Sequence, residues 1–173
     1  MVAGDPIDAA IRGRRTHKAY GAEPVDRATL EQLFELARWA PNHHLTEPWR
    51  FRVLGPQALA ALKDAAGMPD ATKLDRAPTL VVASVTQTGA DDQRLEDVCA
   101  GACAVYIVLL AAHARGLAGY WRTPAVLRTA AGRAALGIGA DELPLGLIHL
   151  GPARQEREAP ERADAAAFAT FLD

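Results

Sequence analysis

The densest group of cationic side chains lies between Arg14 and Tyr20. The run Arg14-Arg15-Thr16-His17-Lys18-Ala19-Tyr20 places two guanidinium groups, a hydroxyl and an ammonium group within seven positions. Such a run is often only a solvated charged surface. Arg also binds phosphate through a planar fork, and Thr adds a neutral donor, so the same residues could clamp a phosphate group. Both interpretations stay open on this segment alone.

A second candidate ligand surface is the loop that begins at Pro41 and leads into a predicted strand from Trp49 to Leu54. Loops that join ordered elements often carry binding residues, and this one contains Asn42, His43 and His44. For each histidine alone, a capped or solvated side chain is the simpler interpretation. No HExxH motif or comparable set of ligands accompanies them, so we expect no metal site.

The sequence lacks the motifs of several common binding and catalytic sites. There is no G-x-G-x-x-G after a first strand and no G-x-x-x-x-G-K-[ST], so any phosphate must be held by side chains. Ser84 is the only serine and lies within a predicted apolar strand, which argues against a serine hydrolase.

The longest predicted element is a helix that starts at Asp91 and Asp92, which can cap its N–H groups, and ends at Arg115-Gly116. Its stretch from Val98 to Ala112 is apolar on all sides, so the helix must be covered on most of them. A membrane span needs roughly 20 apolar residues, and this stretch has 15, so we predict a core or subunit-interface helix and a homodimer. Cys99 and Cys103 lie on this helix and are expected to be core thiols.

The other predicted elements surround this helix. Residues 67–76, with little apolar content, are the likeliest lid, and the tail from Pro152 to Asp173 is expected to be an extended tail or an edge strand. Helices are predicted for Pro6 to about Gly13, Asp26 to just before Pro41, Pro56 to Ala66 and Ala125 to Leu136, and strands for Thr79 to Val85, Leu117 to Trp121 and Leu145 to Gly151. These predict an α+β fold with about four strands sandwiched by helices.

Length and net charge limit the number of domains and the kinds of partner that this chain can have. The 173 residues fit one domain spanning 1–173. A net charge of −2 offers no broad attraction to nucleic acid or anionic lipid, so we expect neither a nucleic-acid nor a membrane partner. The first residues contain no basic segment followed by an apolar run, so no secretory signal is indicated and a cytoplasmic protein is expected.

Three separated segments together resemble the nitroreductase family. They are Arg14 to Tyr20, Ala40 to Phe51 and Gly116 to Thr123, and the closing Leu150-Gly151-Pro152 extends the resemblance over nearly the whole chain. The resemblance implies an α-β-α sandwich with a central, mostly antiparallel sheet. It also implies an intertwined homodimer with two FMN sites at the subunit interface, working as an oxidoreductase.

The resemblance also implies roles for individual residues. One group holds the FMN phosphate and ribityl chain, with a cation at the pyrimidine edge of the flavin: Arg14, Arg15, Thr16 and Lys18. A second group is contributed by the partner subunit: Trp39, Asn42 and His43. A third approaches the flavin from the other side: Trp121, Arg122 and Thr123. Contacts to the nicotinamide nucleotide fall on His113, Arg115 and Gly116.

The implied reaction is a ping-pong transfer, in which NAD(P)H reduces the flavin and a nitroaromatic, quinone or similar small acceptor reoxidises it. The flavin carries this chemistry, so no catalytic acid or base is assigned, and His43 is only a candidate proton donor. Two alternatives stay open: a dimer that stores, senses or remodels flavin without turnover, and a specialised oxidase or dehalogenase.

Some residues depart from the family pattern. Leu45 and Glu47 stand where many larger members have Asn and Gln, and Thr16 replaces the commoner serine. The tail lacks a clear Lys and Arg pair for phosphate, which leaves Arg154, Arg157 and Arg162 as candidates.

Overall fold

A four-stranded antiparallel sheet forms the middle of the protein. The structure is a computed structural model that describes residues 5–172. The strand order is β1-β2-β4-β3, and each neighbouring pair is antiparallel. The strands are β1 (Trp49–Val53), β2 (Thr79–Thr86), β3 (Leu117–Arg122) and β4 (Glu142–Pro152). The predicted α+β class with four strands is confirmed.

The described residues form five helices, and four of them cover the two faces of this sheet. They are α1 (Pro6–Gly13), α2 (Arg27–Ala37), α3 (Pro56–Ala66), α4 (Asp91–Ala114) and α5 (Ala130–Ala135). Four 3₁₀ turns, at residues 43–45, 70–75, 125–128 and 165–167, connect or extend them. Helices α2 and α4 pack together on one face, with α1 against α4, and α3, α5 and the turns at 70–75 and 125–128 pack on the other. The result is the predicted three-layer sandwich.

Local signals in the sequence fix several helix ends. The Asp5 side chain accepts a hydrogen bond from the Ile7 N–H at 2.8 Å, and the Asp26 side chain accepts one from the Thr29 N–H at 2.8 Å. Helix α3 ends at Gly67 and α4 ends before Gly116, and these two residues have φ of 63° and 74°. Glycine takes such values at little steric cost, so the predicted ends are confirmed.

Separate apolar clusters fill the two sides of the sheet. The cluster under α2 and α4 includes Leu33, Val108 and Ile148, all fully buried. The cluster on the α3 side includes Leu62, Val82 and Leu147, also fully buried. Strands β2 and β4 are covered on both faces, which explains why their sequences are almost continuously apolar.

Helix α4 corrects two expectations. It has 24 residues and is long and apolar enough to cross a membrane by length and composition, so the length argument against a membrane span was wrong. Half of its apolar window is nevertheless buried inside the protein, and the helix contacts all four strands. Cys99 and Cys103 were expected in the core, but both are exposed. They face away from the sheet, with Leu95 and Tyr106 66% and 39% exposed on the same side.

Smaller differences concern ends and connections. Asp91 and Asp92 lie in the first turn of α4, and the Asp92 carboxylate accepts a hydrogen bond from the Gln93 N–H at 2.9 Å, while the N-cap residue itself is Ala90. The single helix predicted from Ala125 to Leu136 is a 3₁₀ turn followed by α5, because Thr129 is extended and its hydroxyl accepts from the Gly132 N–H.

The predicted lid and the tail also take definite forms. The segment at 67–76 contains the 3₁₀ turn at 70–75 and is anchored by the buried Leu74, 1% exposed. The tail after β4 forms no strand within residues 153–172. One bridge between Tyr20 and Ala153 ties its start to the sheet.

Candidate functional site

The cationic segment from Arg14 to His17 lies along the outer edge of the sheet. Arg14 follows α1 in an extended conformation, and its N–H donates to the Ala10 carbonyl at 3.0 Å. Thr16 pairs in parallel with Gly119 of β3, and the His17 N–H donates to the Gly119 carbonyl at 3.2 Å. Strand β3 therefore holds this segment in place.

An arginine-rich cavity of about 690 Å³ opens beside this segment, and we call it the arginine cavity. The Nε atoms of Arg14 and Arg15 are buried and have no hydrogen-bond partner among the described residues. The surroundings are strongly cationic, since Glu158 is the only carboxylate among the lining residues. The lining comprises Ile11, Arg12, Arg14, Arg15, Thr16, Tyr106, Arg157, Glu158, Ala159, Pro160 and Arg162. Such a surface favours an anion.

A second cavity, of about 500 Å³, lies at the end of β3, and we call it the β3 cavity. Its polar wall includes Asp70, Lys73, Tyr120, Arg122 and Thr123, and Ala65, Ala66, Leu74 and Val126 contribute apolar surface. The Lys73 ammonium donates to the Asp70 carboxylate at 2.5 Å. The Arg122 Nε is buried without a partner among residues 5–172, and burial lowers the pKa of this guanidinium group.

Strand β3 passes both cavities, because Thr16 of the arginine cavity pairs with Gly119 and the next residues of the strand, Tyr120 and Arg122, line the β3 cavity. Arg122 lies three residues beyond Gly119, which is about 10 Å along a strand. Within the described residues, the outer edge of β3 is paired only at Gly119, whose bridge partner is Thr16 and whose carbonyl accepts from the His17 N–H. The backbone groups beyond Gly119 are therefore open to a ligand. An elongated molecule with a phosphate at one end and a planar group at the other matches this arrangement.

Trp121 and Lys18 are among the sequence-predicted residues that do not line these cavities. The Trp121 side chain projects to the α4 side of the sheet, where its Nε1 donates to the Leu145 carbonyl at 3.2 Å. Strand alternation places it opposite Tyr120 and Arg122, so only its backbone faces the β3 edge. Lys18 is exposed and lines neither cavity.

The loop after α2 lies far from the arginine segment. Trp39 is 76% exposed. Asn42 accepts from the Glu47 N–H at 3.0 Å, and His43 Nε2 lies 3.9 Å from the Glu96 carboxylate near the start of α4. His113, near the arginine segment, is 17 positions further along this helix, or about 25 Å at 1.5 Å per residue. One chain therefore does not bring the loop and the arginine segment onto one ligand.

The residues assigned to a nicotinamide nucleotide occur at the end of α4. His113 packs beside α1, and burial and the neighbouring Arg14 and Arg15 lower the pKa of its imidazole. The Arg115 guanidinium donates to the Ala111 carbonyl at 3.1 Å and so caps the helix. Gly116 provides the left-handed turn into β3.

Sequence reasoning missed the polar groups at residues 70–75. Asp70 and Lys73 stood in the segment interpreted as a lid, whereas the structure brings both into the β3 cavity. Their spacing of three was the available signal, since one helical turn places such residues on the same side.

Known proteins resemble this chain in both sequence and fold. The sequence model described as "Nitroreductase family" matches residues 11–69. The Bacillus subtilis protein "Putative NAD(P)H nitroreductase YfhC" is 26% identical over 167 residues, which is 87% of this chain and 84% of that protein.

Solved structures share the fold over nearly the whole chain. A nitroreductase-like family protein from Bacillus cereus superposes with a TM-score of 0.89 at 20% identity, over 100% of this chain and 99% of the other. The FMN and NADPH-dependent nitroreductase NfnB from Sphigopyxis sp. strain HMH superposes with a TM-score of 0.81 at 18% identity, over 96% and 99%.

Proposed function

Because this chain belongs to the nitroreductase family, we propose that it is an FMN-dependent oxidoreductase with NAD(P)H as its electron donor. We further propose that it reduces small electron-poor molecules such as nitroaromatics or quinones in a ping-pong reaction. The observation that carries this proposal is the pair of cavities that lie along the outer edge of β3.

The arginine cavity fits the phosphate of FMN. Its guanidinium groups outnumber its single carboxylate, and the buried Nε atoms of Arg14 and Arg15 lack partners among residues 5–172. Buried donors without partners are costly, and an anion in this cavity would satisfy them. The Thr16 hydroxyl adds a neutral donor beside the same strand, and Arg157 and Arg162 supply charge from the tail.

The β3 cavity fits the flavin ring. Its apolar wall can cover a flat aromatic surface and exclude water, and the β3 edge offers backbone groups to the polar rim of the ring. When bound, FMN would supply the redox chemistry by accepting a hydride from the donor and passing two electrons to the acceptor. Arg122, whose Nε has no partner among the described residues, would stabilise negative charge at the ring and so raise its reduction potential, whereas Lys73 is already paired with Asp70.

We also propose that two copies of the chain share each site. Leu95, Cys99, Cys103 and Tyr106 form an exposed stripe along α4 that a second α4, running antiparallel, would cover. Such a pairing carries the partner's loop at Trp39, Asn42 and His43 toward the arginine end of this chain's α4. It would complete a site whose two parts, the loop after α2 and the arginine segment, lie about 25 Å apart within one chain. In this proposal each subunit is one domain spanning 1–173 and works in the cytoplasm.

The first experiment is an absorbance spectrum of the purified protein, followed under anaerobic conditions by NADPH or NADH and then by a nitroaromatic or a quinone. We expect a flavin band that bleaches with the donor and returns with the acceptor. A bound flavin that neither donor reduces would favour storage or sensing instead of turnover. Absence of flavin even after reconstitution would refute the proposal.

A further inference from the structure

The loop from Asn42 to Glu47 contains three residues in the left-handed backbone region, and we call it the strained loop. His44, Leu45 and Glu47 have φ of 53°, 52° and 44°. None of them is glycine, and a residue with a Cβ atom takes this conformation at a cost in free energy. Such backbone persists only where the surrounding contacts hold it, and it is concentrated at functional sites. The contacts that hold the strained loop are therefore candidates for a functional role.

Short-range hydrogen bonds hold the two ends of the strained loop. The Asn42 side chain accepts from the Glu47 N–H at 3.0 Å and donates to the Ala40 carbonyl at 3.2 Å. The Arg50 guanidinium of β1 donates to the Glu47 carbonyl at 2.9 Å. These bonds close the loop on itself and on β1, but they do not join it to α4.

One hydrogen bond joins the strained loop to a buried carboxylate of α4. The Thr46 hydroxyl donates to Oδ1 of Asp97 at 2.7 Å. Asp97 is 1% exposed, and the same oxygen accepts from the Gln93 amide at 3.0 Å. Among residues 5–172, Thr46 is the only residue outside α4 that hydrogen-bonds to this carboxylate. Asp97 therefore links the helix to the strained loop through a single side chain.

Burial of Asp97 is costly for the fold. Its second oxygen, Oδ2, is buried and has no hydrogen-bond partner among the described residues. A carboxylate that leaves water without a full set of partners lowers stability, and an apolar residue of similar volume would avoid that cost. The carboxylate therefore has a clearer role in holding the strained loop than in stabilising the core.

The outer side of the strained loop is open to a second copy of the chain. Leu45 is 80% exposed, and Trp39, just before the loop, is 76% exposed. His43 and His44 are exposed as well. The loop is thus fixed on its α4 side and presents aromatic and apolar side chains on the other, as a segment that contacts a ligand across a subunit interface requires.

We propose that Asp97 is a positioning residue, which acts through Thr46 to hold Asn42 and His43 in place for the flavin bound by the second copy of the chain. This role rests on the proposed function, because it requires an FMN site that two copies share. Within one chain the strained loop lies about 25 Å from the arginine segment, so an effect of Asp97 on FMN binding is exerted on the site of the other copy. Asp97 itself stays beneath its own loop and does not touch the flavin.

Hydrogen exchange of the flavin-free protein tests whether this bond holds the strained loop. Thr46→Val removes the hydroxyl with little change in volume, and the amides of residues 42–47 are expected to exchange about tenfold faster than in the wild type. Thr46→Ser keeps the donor and Asp97→Asn keeps an oxygen acceptor, so both are expected to exchange like the wild type. Thr29→Val is the matched control, since the Thr29 hydroxyl donates to the Asp26 carboxylate at the same distance of 2.7 Å, at the start of α2. Unchanged exchange in Thr46→Val would overturn the proposal.

Titration with FMN, followed by quenching of flavin fluorescence, tests whether the held loop serves the flavin. At a temperature at which thermal melting shows every variant to be folded, Thr46→Val and Asp97→Ala are each expected to weaken FMN binding about tenfold. The double variant is expected to bind no more weakly than either single variant, because both changes break the same bond. Thr46→Ser, Asp97→Asn and Thr29→Val are expected to bind FMN like the wild type.

The two measurements separate the possible failures. Faster exchange of the strained loop with unchanged FMN affinity would show that Asp97 serves only the fold, and this result would overturn the proposal while the proposed function stands. A wild type that binds no FMN would overturn both.

Discussion

Arg52 on the edge strand β1 and Glu142 at the start of β4 form a two-point ion pair across the intervening strand β2. The Arg52 Nη2 lies 2.6 Å from Glu142 Oε1, and its Nη1 lies 2.8 Å from Oε2. The Ser84 hydroxyl of β2 donates to the same carboxylate at 2.6 Å. The Arg52 hydrogen bond is the main reason that the pKa of Glu142 falls from 4.5 to about 2.

The first prediction concerns acid stability. Because the carboxylate has its lowered pKa only in the folded state, its contribution is complete above pH 4.5 and is lost as the pH falls toward 2. This shift corresponds to about 3 kcal/mol of unfolding free energy. We expect Glu142→Gln to lose most of this amount at pH 7 and almost nothing at pH 2, as measured by urea unfolding.

The matched control for this prediction is Glu31→Gln. Glu31 pairs with Arg27 at 2.7 Å, but both side chains are largely exposed. Exposed pairs contribute about 0–1 kcal/mol, so this variant is expected to unfold almost like the wild type. If the two variants lose equal stability, the largely buried Arg52–Glu142 pair contributes no more to the free energy of unfolding than the exposed Arg27–Glu31 pair.

The second prediction concerns the buried His149 on β4. This residue is fully buried, stacks with Tyr20 at 6.5 Å and lies 5.7 Å from Tyr120. Burial, with smaller effects from Arg122 and Arg76, lowers the pKa of its imidazole to about 4. The unfolded chain binds this proton first, so stability is lost as the pH falls from 6.5 toward 4.

At pH 5 this loss amounts to about 2 kcal/mol. We expect His149→Leu, which conserves volume and cannot titrate, to differ from the wild type by about 1 kcal/mol or less at pH 7.5. At pH 5 the variant is expected to be the more stable protein. Chemical unfolding measures the stability of both proteins at pH 7.5 and pH 5. If the variant loses as much stability as the wild type between these pH values, His149 is not the group whose protonation destabilises the protein.

The third prediction concerns flavin binding by the arginine cavity. Arg14→Ala removes a charged donor whose hydrogen bonds to a phosphate are worth about 2 kcal/mol. We expect FMN to bind roughly 30-fold more weakly, as measured by quenching of flavin fluorescence during titration. Arg128→Ala removes an exposed arginine elsewhere and is expected to keep full flavin affinity. An Arg14→Ala protein that purifies with full FMN content would show that this residue does not clamp the phosphate.

The fourth prediction concerns the exposed stripe on α4. Cys99→Glu places a carboxylate in the middle of this stripe and is expected to weaken a dimer at least 100-fold, because a buried unpaired charge is strongly destabilising. Analytical ultracentrifugation measures the change. Flavin is expected to be lost with it, since the partner's loop leaves the site.

Ala60→Glu on the exposed side of α3 is the corresponding control, because it adds the same charge to another helix surface. It is expected to sediment like the wild type. A Cys99→Glu protein that remains dimeric and retains flavin would place the subunit interface elsewhere.

Local patterns in the sequence predicted most of the fold. Caps at Asp5 and Asp26 and stops at Gly67 and Gly116 are short-range features, so the ends they determine could be read directly. The sequence did not predict that the helix from Ala125 is divided in two. This division depends on the Thr129 hydroxyl, which caps a new helix by accepting from the Gly132 N–H. Competition between a cap and continuation of a helix is decided by tertiary packing.

The candidate site was less predictable for a related reason. An apolar helix gives no sign of which face its own chain covers, so Cys99 and Cys103 were expected inside. Trp121 was predicted as a site residue although strand alternation separates its side chain from Arg122. Asp70 and Lys73 were not predicted as site residues, because their cavity is formed only when the turn at 70–75 packs on α3 and faces the end of β3.

The strand order has a consequence for synthesis of the protein on the ribosome. Strand β4 is the last to be made, yet it lies between β2 and β3 and pairs with both. A nascent chain that has not reached residue 142 can pair β1 with β2, but β3 has no neighbouring strand to join. The sheet is therefore completed only late in translation, and until then the edges of β2 and β3 that pair with β4 remain unpaired and available to chaperones.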